Sequence, residues 1–241
     1  MTKQVVALLI AGALCSGVSI LLAASGNPPS SAINTTGVDV GAAVRSGVSR
    51  QVLTLALGAV ACASSAGLIA PRTLTLIDYS RPSIEPRLWV FDLHTGTLLF
   101  KELVAHGKQS GDNNATRFSD EMNSRESSIG LFVARETYVG DNGYSLRLDG
   151  LEAGFNGHAR ARGIVIHGAA YVDPHFSAKQ GRIGRSWGCP ALPVEVARRV
   201  IDAISGGGAI FSYYPDAHWL TSSRFLNGCA GTTLADALAV G

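Results

Sequence analysis

The chain has 241 residues, which bounds it to one ordinary domain with extensions or to two small ones. Hydrophobic residues make up 46% and charged residues 16%, which excludes a disordered chain and a domain that depends on disulfides for its core. A formal net charge of +2, without a run of Lys and Arg, excludes the basic stripe of a nucleic-acid binder.

Lys3 is followed by an uncharged stretch from Val5 to Ala24, and Ala23-Ala24-Ser25 places small residues before Gly26. This pattern predicts an export signal over residues 1–25, with contact to a membrane only if the segment stays uncleaved as an anchor. Residues 26–47, opened by Asn27-Pro28-Pro29-Ser30-Ser31, read as a linker. Cleavage would leave three cysteines, Cys62, Cys189 and Cys229. In an oxidising compartment an odd count suggests one bridge and one free thiol. Cys62 to Cys229 is the pairing that leaves Cys189 free; three unbridged thiols are the alternative.

Val52 to Ala70 is uncharged and rich in Ala, diluted by Gly58, Ser64, Ser65 and Gly67, and Pro71 ends it. The composition predicts a helix over about 48–71 that packs on the domain rather than crossing a bilayer. The pattern then changes to short strands. Leu74-Ile77 is one; Leu88-Phe91 and Thr97-Phe100 flank His94-Thr95-Gly96 as a hairpin. Gly107 to Ser128 is polar and reads as a long surface loop. Ile129-Ala134 is a strand, and Thr137-Val139 with Tyr144-Leu148 form a second hairpin around Gly140-Asp141-Asn142-Gly143. Ile164-Ile166 is a buried strand that ends at His167. Pro193 starts a helix with a stripe of Val196, Val200, Ile201 and Ile204, closed by Ser205 and Gly206. Ala209-Tyr214 is the last strand, and residues 217–241 read as a tail. This order predicts a β-rich α+β fold with packed helices, not an alternating α/β sheet.

The segment that carries chemistry runs from Ile164 to Pro193. Strand end His167 is followed by Gly168, and in Ser186-Trp187-Gly188-Cys189-Pro190 the cysteine comes 22 residues after the histidine. A cysteine nucleophile needs a base within hydrogen-bond reach and donors for the oxyanion. His167 can supply the first; the amides of Gly188 and Cys189 are candidates for the second. Pro190 biases Cys189 away from helical geometry. The helix N-terminus that follows, together with Arg182 and Arg185, favours a thiolate. A buried structural cysteine near a satisfied histidine is the plainer reading of the same spacing.

HG followed by S-x-G-C resembles the active-site motif of the murein L,D-transpeptidases, the YkuD-like enzymes. The strings LTLIDYSRPS, VAHGKQSG, GYSLRLDGLE, IVIHGAAYV, GRSWGCPALP and FSYYPD extend the resemblance from Thr73 to Asp216. The resemblance implies a catalytic domain over about 72–216 with a β-sandwich of mixed sheets. It implies Cys189 as nucleophile and His167 as base, with Ser186, Gly168 and Gly188 shaping the pair. It also implies peptidoglycan stem peptides, a donor tetrapeptide and an acceptor stem, as substrates in the periplasm or cell wall. Trp187 stands where the better-known members carry His, and Pro190-Ala191-Leu192-Pro193 follows the cysteine where they often carry Arg or Asn. Arg185, Trp187, Tyr171, Arg147 and His106 are the candidates for contact with the stem peptide; each has a structural role as its alternative. No metal or organic cofactor is expected, because His106, His167 and Cys189 lack short ligand spacings such as HxxxH or CxxC.

Overall fold

In a computed structural model of the protein, Met1 and residues 37–229 are described. The export signal read over residues 1–25 lies outside them, apart from Met1. Asp39 caps the first helix, α1 (Val40–Arg45), by accepting the Ala42 amide at 2.9 Å. This helix falls inside the stretch read as linker, which is corrected for residues 40–45. Six residues make fewer than two turns, too few for an apolar period to show, although Val38 and Ala43 are both buried. Ser49 then caps α2 (Arg50–Ser65). Its buried face carries Val52, Leu53, Leu55, Ala56, Ala59, Val60 and Ala63, so the apolar stretch is a core helix. Among the described residues no helix is long and apolar enough to cross a membrane.

The strands are β1 (Thr73–Asp78), β2 (Leu88–Asp92), β3 (Leu98–Glu102), β4 (Gly130–Gly140), β5 (Gly143–Gly150), β6 (Val165–Gly168), β7 (Ala191–Leu192) and β8 (Ala209–Tyr213). Three further helices lie among and after them: α3 (Pro174–Gln180), α4 (Val194–Ile204) and α5 (Ala217–Ser222), followed by a last turn, α6 (Arg224–Asn227). All eight strands join one mixed sheet in the order β3-β2-β1-β8-β4-β5-β6-β7. The pairs β1–β8 and β6–β7 are parallel and the rest antiparallel. This is the β-rich α+β architecture expected from the order of elements. The predicted strands at 129–134 and 137–139 are one strand, β4, with a register shift between Ala134 and Thr137.

The central strands are buried on both faces, and alternation sorts their side chains into two cores. Leu74, Leu76, Trp89, Phe91, Leu131 and Phe211 face α2 and the C-terminal helices. Ile77, Val90, Phe132, Leu146, Ile166 and Ile210 face the α4 stripe of Val200, Ile201 and Ile204. Each such fully buried side chain contributes about 1.5–3 kcal/mol relative to exposure. Pro193 is the N-cap of α4 rather than its first residue.

The segment read as a C-terminal tail is corrected through residue 229. Asp216 caps α5 by accepting the Trp219 amide at 2.7 Å. Trp219 is fully buried and its indole donates to Glu152 Oε2 at 3.1 Å. Phe225 and Leu226 are buried behind it. Cys229 is bonded to Cys62 on α2, with the Cα atoms 5.6 Å apart, so the pairing that leaves Cys189 free is the one formed.

That bridge spans 167 residues of sequence. Opening a loop of this size is expected to cost up to about 5 kcal/mol by the loop-entropy relation. Denaturant melts of the full chain with and without reductant measure it. Equal midpoints would show that the bridge does not hold the C-terminal helices in place.

Candidate active site

Strand β6 carries His167, and β7 begins two residues after Cys189. Their parallel register sets His167 against Ala191 and Gly168 against Leu192. His167 is also paired with Ser145 of β5, so it sits within the sheet with only 4% exposure. Its Nδ1–H donates to the Gly168 carbonyl at 3.0 Å, which leaves the Nε2 lone pair free. Burial lowers the His167 pKa from 6.5, so the ring is neutral at physiological pH. Packing at Gly168 is tight: a Cβ there would lie 3.0 Å from the Ala197 Cβ and 3.4 Å from the Val194 Cα on the first turn of α4.

Cys189 is the free cysteine of the described residues and is half-buried. Ser186 closes its turn. The Ser186 hydroxyl donates to the Cys189 carbonyl at 2.6 Å and accepts the Gly188 amide at 3.1 Å. The Gly188 carbonyl in turn accepts from the Ser127 hydroxyl at 3.0 Å. Gly188 has φ +126°, and a Cβ there would meet the Glu126 carbonyl at 2.9 Å. Glycine is therefore needed both for its backbone and for the close approach. The Gly188 amide is occupied by Ser186, which corrects the expectation that it is an open oxyanion donor.

The polar segment over 107–128 is more than a surface loop. Gly107, Ser110, Ala115, Asp120, Ser127 and Ser128 are buried. The Gly107 amide donates to Ser127 Oγ at 2.9 Å, the Ser127 amide to Ser110 Oγ at 2.9 Å, and the Lys108 amide to the Ser186 carbonyl at 2.7 Å. Short side chains replace a β-ladder there, and that is why no periodicity marks the segment.

The electrostatics of Cys189 differ from the sequence expectation. Burial pushes the thiol above its ordinary value of 9.0, against the opposing pull of the Val165 and Cys189 amides and of the Arg162 guanidinium. Arg182 and Arg185, expected to favour the thiolate, are instead directed at Asp112, at 3.7 Å and 2.8 Å. The cation next to the thiol is Arg162, which the sequence reading passed over. It donates to the Glu126 carbonyl at 2.7 Å and to Ser124 Oγ at 3.0 Å, and so ties the loop to the Cys189 turn. Its place just before the buried strand Ile164-Ile166 was the signal available. Sγ itself contacts the Gly163 carbonyl at 3.6 Å. Among the described residues no hydrogen bond joins Cys189 to His167. Catalytic hydrogen bonds are often long or misaligned in a free site and tighten on substrate.

The candidates for substrate contact separate. Trp187 is 72% exposed and forms one wall of a cavity of about 460 Å³ beside the Cys189 turn. Tyr171 is half-buried with its ring on Gly184, and it lies close enough for a Cys189 thiolate to help raise its pKa to about 12, after burial as the larger cause. Arg185 Nη1 donates to the Gly111 carbonyl at 2.8 Å as well as to Asp112, so it holds the loop. Arg147 is committed to Glu136 at 3.4 Å and stacks on Tyr138 at 4.2 Å. His106 is fully buried, which corrects its reading as a groove residue. Arg87 donates to His106 Nδ1 at 2.7 Å, and His106 Nε2–H donates to the Gly111 carbonyl at 3.3 Å. Burial first, and then the Arg87 charge, lower its pKa to about 3. Among the described residues no group of three His, Cys, Asp or Glu side chains is placed to hold a metal ion.

Among the described residues, the mixed sheet thus sets a free thiol on a glycine turn leading into β7, the strand paired with the one that carries a neutral histidine. A family model described as the L,D-transpeptidase catalytic domain matches residues 44–213, more than two thirds of the chain, and the chain belongs to that family. The match takes in α2. A search of curated proteins finds no match. Among solved structures, the chain is similar to an L,D-transpeptidase from Mycobacterium smegmatis, at 18% identity over 59% of each chain with a TM-score of 0.38. It is similar to L,D-transpeptidase 3 from Mycobacterium tuberculosis, at 14% identity over 60% of this chain and 62% of that one, TM-score 0.39. It is also similar to the helical cell shape determining protein Pgp2 from Campylobacter jejuni, at 14% identity over 58% and 46%, TM-score 0.37. The chain thus spans 59% of the length of the first of these.

Because burial outweighs Arg162 and the two amides, alkylation of Cys189 by iodoacetamide is expected to be slow at pH 7 and to rise only above pH 9.0. Arg162→Gln removes a charge that lowers the thiol pKa, so its profile should move to still higher pH. Mass spectrometry of the full chain across pH reads both. Fast labelling at neutral pH, or an unmoved profile in Arg162→Gln, would overturn this account of the thiol.

Proposed function

We propose that the protein is an exported cysteine acyltransferase of the cell wall, in which Cys189 attacks a peptidoglycan stem peptide and His167 is its base. The observation that carries this reading is the free thiol on the turn leading into β7, whose partner strand β6 holds a neutral histidine with Nε2 unengaged among the described residues. The Cys62–Cys229 bridge supports an oxidising compartment, and the signal read over residues 1–25 supports export.

The reaction is acyl transfer in two steps. His167 Nε2 takes the thiol proton as Cys189 Sγ attacks the carbonyl of the third, L-centre residue of a tetrapeptide stem. D-Ala leaves as its amine, taking a proton from His167, and a thioester remains on Cys189. An amine of a second stem then attacks the thioester, the thiol is released, and a 3→3 cross-link is formed. The Cys189 amide, already near the sulfur, is the donor placed for the oxyanion, since the Gly188 amide is held by Ser186. Ser186 acts by fixing the turn, and Gly168 by fixing the histidine tautomer. Peptidoglycan stems are the only partner invoked.

The test is the full chain and its Cys189→Ala variant incubated with a disaccharide-tetrapeptide, with products read by mass spectrometry. A cross-linked dimer made only by the unaltered protein supports the reading. Tripeptide without dimer makes the enzyme an L,D-carboxypeptidase with the same pair of residues. No product from either protein leaves a peptidoglycan-binding role and ends the catalytic one.

The pH profile supplies a second test. The base form of His167 is lost as pH falls through its folded pKa, which lies below 6.5. The acid limb of kcat/KM is therefore expected below pH 6.5. A limb at or above that value would mean that a different group is the base.

A further inference from the structure

The cavity beside the Cys189 turn has walls of two kinds. Trp187 and Met122 are apolar and exposed; Arg125 and Arg162 are guanidinium groups, and Gln109, Asn123 and Ser124 also line it. No carboxylate lines it. The two cations differ in what they are free to do. Arg162 spends its Nη atoms on the Ser119 and Glu126 carbonyls and on the Ser124 and Ser128 hydroxyls. Arg125 stacks on the Trp187 ring at 5.0 Å and makes no ion pair among the described residues. Neighbouring arginines do: Arg117 takes Glu126, and Arg182 and Arg185 take Asp112. Stacking fixes the plane of Arg125 while leaving its donor edge open.

The backbone that carries Arg125 is strained as well. Asn123 has φ +61° and Arg125 has φ +56°, the two non-glycine residues of positive φ among those described. The loop enforces this geometry, since the Arg125 carbonyl accepts the Gln109 amide at 3.1 Å and packs where a Gly107 Cβ would stand, 2.5 Å away. Strain of this kind persists only where surrounding structure holds it, and it clusters at ligand-binding sites. The cavity is adjacent to the reacting thiol: Trp187 is two residues from Cys189, and Arg162 is the cation that acts on it.

We propose that this cavity is a carboxylate-binding subsite, in which the open edge of Arg125 receives a free carboxylate of a stem peptide while Trp187 and Met122 enclose its aliphatic chain. A planar guanidinium with two parallel N–H donors matches a carboxylate, and the absence of acidic lining leaves the charge uncancelled. This rests on the acyl-transfer reading, because it makes the carboxylate that of a peptide bound at Cys189. The carboxylate belongs either to the donor stem or to the acceptor stem.

Trp89 and Trp219 are fully buried, so Trp187 is the tryptophan whose emission reports on the cavity. The full chain carrying Cys189→Ala, which prevents turnover, is titrated with a diaminopimelate-containing tetrapeptide and with the matching tripeptide. Each is used as the free acid and with the diaminopimelate carboxyl amidated. The free acid is expected to bind about tenfold more tightly than the amide, as for a charge-assisted hydrogen bond. Adding Arg125→Gln should abolish that preference, and Arg125→Lys should keep part of it. A preference for the tetrapeptide alone assigns the carboxylate to the donor; a preference with both peptides assigns it to the acceptor. Equal binding of acid and amide, or a preference that survives Arg125→Gln, overturns the subsite. If cross-linked product forms without the preference, the acyl-transfer reading stands and the subsite falls. If the preference is found but no product forms, the anion subsite stands and the acyl-transfer reading falls.

Discussion

The Ser186 hydroxyl holds the turn on which the rest of the site depends. It accepts from Gly188 and donates to the Cys189 carbonyl, so three consecutive peptide units are closed around one oxygen. That closure requires the left-handed Gly188, and it presents the Gly188 carbonyl to Ser127. Ser127 in turn joins Ser110 and Gly107. The polar loop and the cysteine turn are therefore one hydrogen-bonded body. Each link is a neutral bond worth about 1 kcal/mol net, but an unmade one would leave a buried polar group unpaired at greater cost.

Charge at the site is arranged around neutral groups. His167 and His106 are both held neutral by burial, yet they serve opposite purposes. His167 keeps Nε2 open because Gly168 takes the other nitrogen. His106 has both nitrogens engaged, by Arg87 and Gly111, and its backbone carbonyl receives the Ser186 amide. The buried Arg87 has no carboxylate partner among the described residues; it donates to the Val104 and Arg81 carbonyls and lies over the Tyr79 ring, and burial lowers its pKa to about 10. A buried cation satisfied by carbonyls and a neutral imidazole rigidifies the floor beneath the cysteine turn.

Burial pushes the Cys189 thiol up in the free site. Burial exceeds the combined effect of Arg162 and two amides. A thiol raised in this way is slow to oxidise, because the thiolate is the nucleophilic form.

Much of this molecule was legible in its residues. The apolar run from Val52, the strands at Leu74, Leu88 and Ile164 and the stripe of α4 all follow from burial at the period of their element, a property each segment carries alone. Cys189, His167, Ser186 and Gly188 were marked by the resemblance of HG and S-x-G-C to a family motif, since their spacing alone left a structural cysteine open. Other features required partners far away in sequence. Short helices such as α1 and α6 are shown by what they bury, and Trp219 reads as part of a tail until Glu152 is set against its indole. Arg162, Arg125 and His106 could not be sorted by local pattern, because an arginine or histidine carries no sign of whether its neighbour will be a carboxylate, an aromatic ring or a carbonyl. The sequence by itself determined the class of fold, which rests on periodicity, and its resemblance to a known motif singled out Cys189 and His167 as the pair to propose. The tertiary structure alone decided which cations are spent and which remain open, because that depends on the partner each one meets after the chain has folded.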